Sequence, residues 1–254
     1  MLTFLRTAAL AATVLLVPAA SAGVVTASVA SQAVTTPAPK IVPAVAPAAP
    51  KPPAFEAAMG LEPAHDHGSG LAPGQTAQDF RDWIRRSPAN RASLAGFRAH
   101  LAAKGVDSVI PLWQLVRTSS SWKGCGAEPF EAPPADKWDH IVKTLQFVRD
   151  NVEPAVGEVE ALSAYRNAGL NACSNGAPKS AHREFFALDL TPVNAAVARA
   201  DMIRSVCSAH ARNGRAYDTG LGFYSGRRFH VDSSGFRKWG SNGKGATSPC
   251  VSRA

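Results

Sequence analysis

A long Ala/Pro-rich stretch constrains the fold most, because it leaves only the later part of the chain to build a core. Residues 23–75 are dominated by Ala, Pro, Val and Thr, as in TTPAPKIVPAVAPAAPKPPA, with almost no aromatic residues. Such segments favour extended, semi-rigid conformations. We predict a disordered linker over residues 23–75 and one domain in the roughly 180 residues that follow. The linker contains His65-Asp66-His67, but a flexible segment fixes no coordination geometry.

The first 22 residues have the features of a secretory signal peptide. Arg6 precedes an apolar run of about a dozen residues, and Ala20-Ser21-Ala22 supplies the small residues of a cleavage site. The run is shorter than the roughly 18 residues that a membrane-spanning helix needs. We predict removal of residues 1–22 on export, no stable membrane insertion afterwards, and a periplasmic or extracellular protein.

Four cysteines are an even number for an exported chain, and their spacing lacks the C-x-x-C pairs of a structural zinc site. Disulfides persist in oxidising compartments outside the cytoplasm, so we predict two of them. Sequence alone allows three pairings of Cys125, Cys173, Cys207 and Cys250.

The formal net charge is +8, but no run of lysines or arginines marks a nucleic-acid-binding arm. We therefore expect no nucleic-acid partner. The positive charge either attracts the protein to an anionic polymer such as the bacterial wall or only keeps it soluble. The sequence does not indicate an oligomeric state.

Residues 76–117 carry helix signals and form a predicted helical segment. One helix is predicted from Ala77 to Arg86. Ser87 then caps a second helix with Pro88 in its first position, and Gly105 stops it.

Residues 118–254 alternate helical and strand patterns, which indicates an α+β domain with a small antiparallel sheet flanked by helices. The predicted elements are, in chain order, a helix over about residues 135–151 stopped by Pro154, a strand over 156–165, the strand FFALDL at 185–190, a helix from Thr191-Pro192 to Asn213, and a hairpin of GLGFY and RRFHVD.

The strand FFALDL carries an acid in an apolar setting. Alternation places Phe186, Leu188 and Leu190 on the core face, and Phe185 and Asp189 on the other face. An unpaired buried carboxylate costs several kcal/mol, so Asp189 requires a metal, several donors or a cation such as a nearby arginine.

Two histidines have settings that suit a shared site with Asp189. His182 lies seven residues before it, at the end of a Gly/Asn/Ser-rich loop. His230 lies in the hairpin, on the same strand face as Arg228 and Asp232. Two His and one Asp ligand with an open fourth position are typical of a catalytic zinc site.

The block SAYRNAGLNACSNGAPKSAHREFFALDL, followed by GLGFYSGRRFHVD, resembles the D-alanyl-D-alanine zinc metallopeptidases, which share the fold of the Hedgehog signalling domain. The resemblance covers roughly residues 110–240. The matching elements are Ser163, Tyr165 and Arg166, then Gly176, Ala177, Ser180 and His182, then Asp189, and finally His230 and Asp232.

This resemblance implies a Hedgehog/DD-peptidase-like zinc domain over residues 118–254, with Zn²⁺ held by His182, Asp189 and His230. It also implies that Arg166 faces the substrate and binds a carboxylate or an oxyanion; a structural ion pair is the alternative. Disulfide-bearing relatives favour the pairs Cys125–Cys173 and Cys207–Cys250.

The sequence differs from many relatives at the position of the general base. Those relatives carry a glutamate three residues before the last histidine ligand. That position is Arg227 here, and an arginine cannot deprotonate water. Asp232 is the nearest replacement, either as the base or as a residue that orients a histidine ligand. Glu184 and Tyr224 are weaker candidates.

The resemblance predicts a zinc metallopeptidase that hydrolyses peptidoglycan stem peptides by metal-activated water, as a D,D-carboxypeptidase or an endopeptidase. The missing glutamate leaves a second hypothesis, a zinc-fold module that binds cell-wall peptides with weak or no turnover. The sequence does not show which bond is cleaved.

Overall fold

The computed structural model describes residues 70–250. The predicted signal peptide, most of the predicted linker and the His65-Asp66-His67 motif lie outside these residues. Residues 70–75, the end of the predicted linker, pack on the domain. The fully buried Gln75 donates to the carbonyl of Pro129 at 2.9 Å, and its own carbonyl accepts from Arg117 at 2.9 Å.

The helical segment at residues 76–117 follows the sequence signals closely. The Thr76 hydroxyl and the Asp79 carboxylate form a capping box at its first helix, and the Ser87 side chain caps the second, whose first turn contains Pro88. The helices of the domain are α1 (Ala77–Arg85), α2 (Pro88–Ala103), α3 (Leu112–Leu115), α4 (Val142–Phe147), α5 (Glu153–Val156), α6 (Ala168–Cys173) and α7 (Arg199–Asn213).

The predicted helix over residues 135–151 is irregular. A 3-10 segment, Ala135–Ile141, leads into α4, and a π-helical segment, Val148–Val152, leads into α5. The prediction that Pro154 stops the helix was wrong. Pro154 lies in the first turn of α5, directly after the π-helical segment, and Gly157 ends the helix at φ +80°.

Five strands form one sheet in the order β1-β2-β4-β3-β5. They are β1 (Val159–Ser163), β2 (Ala187–Pro192), β3 (Gly220–Phe223), β4 (Phe229–Asp232) and β5 (Arg237–Trp239). The sheet is mixed, which corrects the predicted antiparallel sheet, because β5 pairs parallel to β3. Asp232 at the end of β4 and Arg237 at the start of β5 both pair with Gly220, so residues 233–236 connect the two strands past the beginning of β3.

The middle strands of the sheet, β2, β4 and β3, have one face in the hydrophobic core and one polar face. Leu188 and Leu190 of β2 pair with Val231 and Phe229 of β4, and all four are fully buried. On the opposite face Asp189 pairs with His230, and Ala187 pairs with Asp232. The hairpin β3–β4 is confirmed. The register between β2 and β4 brings Asp189 and His230 together on one side of the sheet.

Strand β2 is shifted from its predicted position. Phe185 has a left-handed conformation, φ +58°, so the strand alternation does not reach it, and its ring belongs to the core. Phe186 instead stacks on His140. The strand continues through Thr191 and Pro192, which pair with β1, so α7 begins later than predicted.

One hydrophobic core joins the helical segment to the sheet domain. Phe80 of α1 packs against Phe130 with ring centroids 5.5 Å apart, and Phe97 of α2 packs against Phe185 at 5.6 Å. Within residues 70–250, no helix combines the length and apolar character required to cross a membrane.

Both disulfides have the favoured pairing. Cys125 is bonded to Cys173, and Cys207 is bonded to Cys250. Two disulfides are typical of a protein that folds in an oxidising compartment.

Candidate metal centre

The three candidate ligands come from three elements and meet at the polar face of the sheet. His182 lies in the 3-10 turn Ala181–Glu184, Asp189 lies on β2 and His230 lies on β4. The backbone N–H of Arg166 donates to the carbonyl of His182 at 3.1 Å, which fixes the turn against the chain that follows β1. All three ligand side chains are buried, with 2%, 1% and 4% of their surfaces exposed.

The ligand atoms form a nearly equilateral triangle. His182 Nε2 lies 3.2 Å from Asp189 Oδ1 and 3.2 Å from His230 Nδ1, and His230 Nδ1 lies 3.1 Å from Asp189 Oδ1. A tetrahedral zinc with bonds of about 2.0–2.1 Å separates its ligand atoms by about 3.3 Å. The buried group therefore has the spacing to bind one metal ion.

The second nitrogen of each histidine is bound to an oxygen acceptor. His182 Nδ1 donates to the carbonyl of Ala164 at 2.6 Å, and His230 Nε2 donates to Asp232 Oδ2 at 2.9 Å. When both rings are neutral, this network leaves electron pairs on the two nitrogens that face Asp189. Two imidazole lone pairs and a carboxylate oxygen within 3.2 Å of one another repel unless a cation lies between them.

The electrostatics of the triad favour a metal over a proton at His182. Burial and the Arg166 guanidinium lower the pKa of His182 from 6.5 to about 4, so the ring is neutral at pH 7. Burial opposes ionisation of Asp189, but charge and hydrogen bonds from its neighbours, the Arg228 guanidinium among them, outweigh it and hold its pKa well below the usual range. Burial also disfavours charge on His230, whereas its bonds to Asp189 and Asp232 raise its pKa.

Asp232 lies behind His230, on the ring nitrogen remote from Asp189. It is fully buried, and Arg237 and Ser234 also bind its oxygens, at 2.7–3.0 Å. Space for it exists because its neighbour on β3 is Gly220, where a Cβ would come within 2.3 Å of Asp232 Oδ2. From this position Asp232 can hold the His230 ring in one orientation.

Three further side chains bind Asp189. Arg228 Nη2 donates to its Oδ2 at 2.7 Å, Arg166 Nη2 donates to the same oxygen at 3.2 Å, and the Tyr224 hydroxyl donates to Oδ1 at 3.0 Å. Asp189 therefore has the arginine partner considered from the sequence as well as the two histidines.

A cleft of about 690 Å³ opens beside the triad and is lined by His182 and His230. Its walls are the loop that follows Cys173 and the Gly-rich segment after β5. None of the described residues that line it is acidic, and its basic lining residues are Arg166, Lys179, Arg237 and Lys238. The positive lining favours an anionic ligand.

Glu184, a weaker candidate for the base, and two other polar residues do not line the cleft. Glu184 pairs with Lys137 at 2.6 Å on the surface. Arg227, at the position of the expected glutamate, donates to the carbonyl of Asn194 at 2.7 Å. His210 is buried against Phe236 and bonds the carbonyl of Thr219, which is a structural role.

Three residues around the triad were not among the predicted site residues. Arg228 was placed on the correct strand face but was given no role. Arg237 binds Asp232, and Trp239 lies against the His230 ring with centroids 4.9 Å apart. Both belong to β5, a three-residue strand too short to show a strand pattern.

No protein-family model matches the sequence, and the chain has no significant match among curated proteins or solved structures. The metal-binding capacity of the triad therefore rests on its own geometry.

Proposed function

We propose that this chain is an exported zinc-dependent peptidase that hydrolyses peptidoglycan stem peptides, as a D,D-carboxypeptidase or an endopeptidase. The observation that carries the proposal is the triangle of three electron-pair donors, 3.1–3.2 Å apart, beside an open cleft. The motif resemblance to the D-alanyl-D-alanine zinc metallopeptidases supports the reaction class and a Hedgehog/DD-peptidase-like fold.

Zinc is the proposed metal because two imidazole nitrogens and one carboxylate, with a side open to solvent, are the usual donors of a catalytic zinc site. When bound, zinc would supply Lewis acidity and a nucleophilic water at neutral pH. His182 and His230 would hold it with the nitrogens that face Asp189, and Asp232 would keep the His230 ring in that orientation.

The cleft supports a substrate with a free carboxylate. Arg166 lines the cleft beside the two histidines, and its guanidinium presents paired donors to a carboxylate or an oxyanion. Lys179 and Lys238 add positive charge along the walls. A stem peptide that ends in D-alanine provides an anionic group next to the bond that a carboxypeptidase cleaves.

A second candidate function is a zinc-fold module that binds wall peptides without turnover. It is supported by the lack of a carboxylate among the described residues that line the cleft. Asp232 is the acid nearest to His230 in the sequence, but its carboxylate already accepts hydrogen bonds from His230 and Arg237. The two functions share the metal and the cleft, so turnover separates them.

The decisive experiment incubates zinc-loaded and chelator-treated protein with defined cell-wall peptides and analyses the products by mass spectrometry. The peptidase proposal predicts zinc-dependent loss of D-alanine or internal cleavage, and it predicts no product from His230→Gln. If zinc-loaded protein binds the peptides but releases no product, the binding module is the better assignment.

The role of Asp232 is tested by Asp232→Asn, with zinc content and turnover measured together. If Asp232 orients His230, this variant binds the metal less tightly, because the ring then donates to a neutral amide instead of a carboxylate. If Asp232 is the general base, the variant should retain zinc and lose turnover. If Asp232→Asn kept both zinc and near-normal turnover, neither role would stand.

A further inference from the structure

The two oxygens of Asp189 have different surroundings. Oδ1 faces His182 Nε2, His230 Nδ1 and the Tyr224 hydroxyl, at 3.0–3.2 Å. Oδ2 accepts from two guanidinium groups, Arg228 at 2.7 Å and Arg166 at 3.2 Å. One oxygen is directed to the metal position, and the other is directed to positive charge.

The two arginines are held differently. Arg228 also donates to Ser120 Oγ at 2.9 Å, and its guanidinium lies over the Tyr224 ring, 5.5 Å from the centroid. Arg228 does not line the cleft, whereas Arg166 does. Arg228 therefore makes the shorter contact with Asp189 and is also held by Ser120. Arg166 makes the longer contact and lines the cleft, where a ligand can reach it.

The binding mode of a ligand carboxylate decides how many positions remain for a substrate. Carboxylates bind metals through one oxygen or through both. If both oxygens of Asp189 bound, the second would fill a position that a catalytic site leaves open. A guanidinium that donates to Oδ2 directs its protons at the lone pairs that would otherwise bind the metal.

We propose that Arg228 is a positioning residue that holds Oδ2, so that Asp189 binds the metal through Oδ1 alone. Because Arg228 keeps the carboxylate paired, Arg166 can leave Asp189 and bind a substrate carboxylate. This inference rests on the proposed metal site. It goes further by stating which residue sets the way in which Asp189 binds the metal.

Cobalt(II) substitution tests the first part, because the visible absorption of cobalt is intense in four-coordinate sites and weaker at higher coordination. We expect wild-type protein and Arg227→Gln, the matched control, to give the intense spectrum with one cobalt bound. Arg228→Gln retains one cobalt but loses several-fold in intensity, and Arg228→Lys restores part of it. An unchanged spectrum in both Arg228 variants, at one cobalt per chain, would overturn the proposal.

The same titration distinguishes failure of the proposed site from failure of this inference. Cobalt binding that persists unchanged in His230→Gln would show that the metal binds elsewhere, which contradicts the metal centre itself. Loss of binding in His230→Gln combined with a wild-type spectrum in Arg228→Gln contradicts only the role of Arg228.

Calorimetry with D-alanyl-D-alanine as the probe tests the second part. In zinc-loaded protein, Arg166→Gln should weaken binding by about tenfold or more, as expected for a lost charge-assisted contact. In the Arg228→Gln background the same change should have a smaller effect, because Arg166 is then retained by Asp189. Equal effects in both backgrounds would refute this division between the two arginines.

Discussion

Zinc should stabilise the folded domain, and the effect should depend on each of the triad histidines. The ligand atoms converge only in the folded sheet, so metal binding adds to the free energy of unfolding. At a free zinc concentration of 1,000 times the dissociation constant, the gain is about 4.1 kcal/mol. For a domain of roughly 180 residues, this corresponds to a rise in Tm of about 8–16 °C.

Thermal unfolding of His182→Gln and His230→Gln, with zinc and with chelator, tests this expectation. Each variant loses one of three ligands, so most of the zinc-dependent rise should disappear. His140→Gln is the matched control, because its ring bonds the carbonyl of Glu184 at 2.7 Å, away from the cleft. If both triad variants kept the wild-type rise, the stabilising metal would bind outside the triad, and the reasoning from its geometry would be refuted.

Three further changes test the surroundings of the centre. Arg237→Gln removes the guanidinium that binds Asp232. It should weaken zinc binding, measured in competition with a chelator, by about 10–100-fold. An unchanged affinity would show that Arg237 does not support the zinc site. Gly222→Ala places a Cβ about 2.2 Å from the Trp239 ring and should cost about 1–3 kcal/mol in urea unfolding; a neutral effect would mean that the ring moves freely. Cys207→Ser removes one disulfide and should cost about 2–4 kcal/mol in the same assay, with zinc binding retained.

The parts of the fold that local chemistry specifies were predictable from the sequence. Ser87 and Pro88, followed by residues of high helix propensity, mark a helix start, and period-two alternation in RRFHVD specifies a strand with one apolar face. The same alternation placed His230 and Asp232 together. These features depend on residues within a few positions of one another.

The parts that depend on distant partners were not predictable. Thr191-Pro192 has the composition of a helix start, but pairing with β1 keeps both residues in β2. The contact of Arg228 with Asp189 joins residues 39 positions apart, and no local pattern encodes it. Strand β5 exists because Arg237, Lys238 and Trp239 pair with β3, although Arg237 and Lys238 are exposed and Trp239 is only half-buried.

The order of the strands explains how sequence-distant motifs form one centre. The chain after β1 supplies Arg166 and the carbonyl that orients His182, while β2 supplies Asp189 directly opposite His230 of β4. A slip of one residue between β2 and β4 would turn Asp189 or His230 into the core, so burial of the opposite face fixes the ligand register. On the other side, β5 supports His230 through Asp232. The residues that orient the ligands therefore lie in the sheet or directly beside its strands. The loops after Cys173 and after β5 that wall the cleft hold none of the three ligands, and changes in those loops should alter substrate binding without loss of the metal.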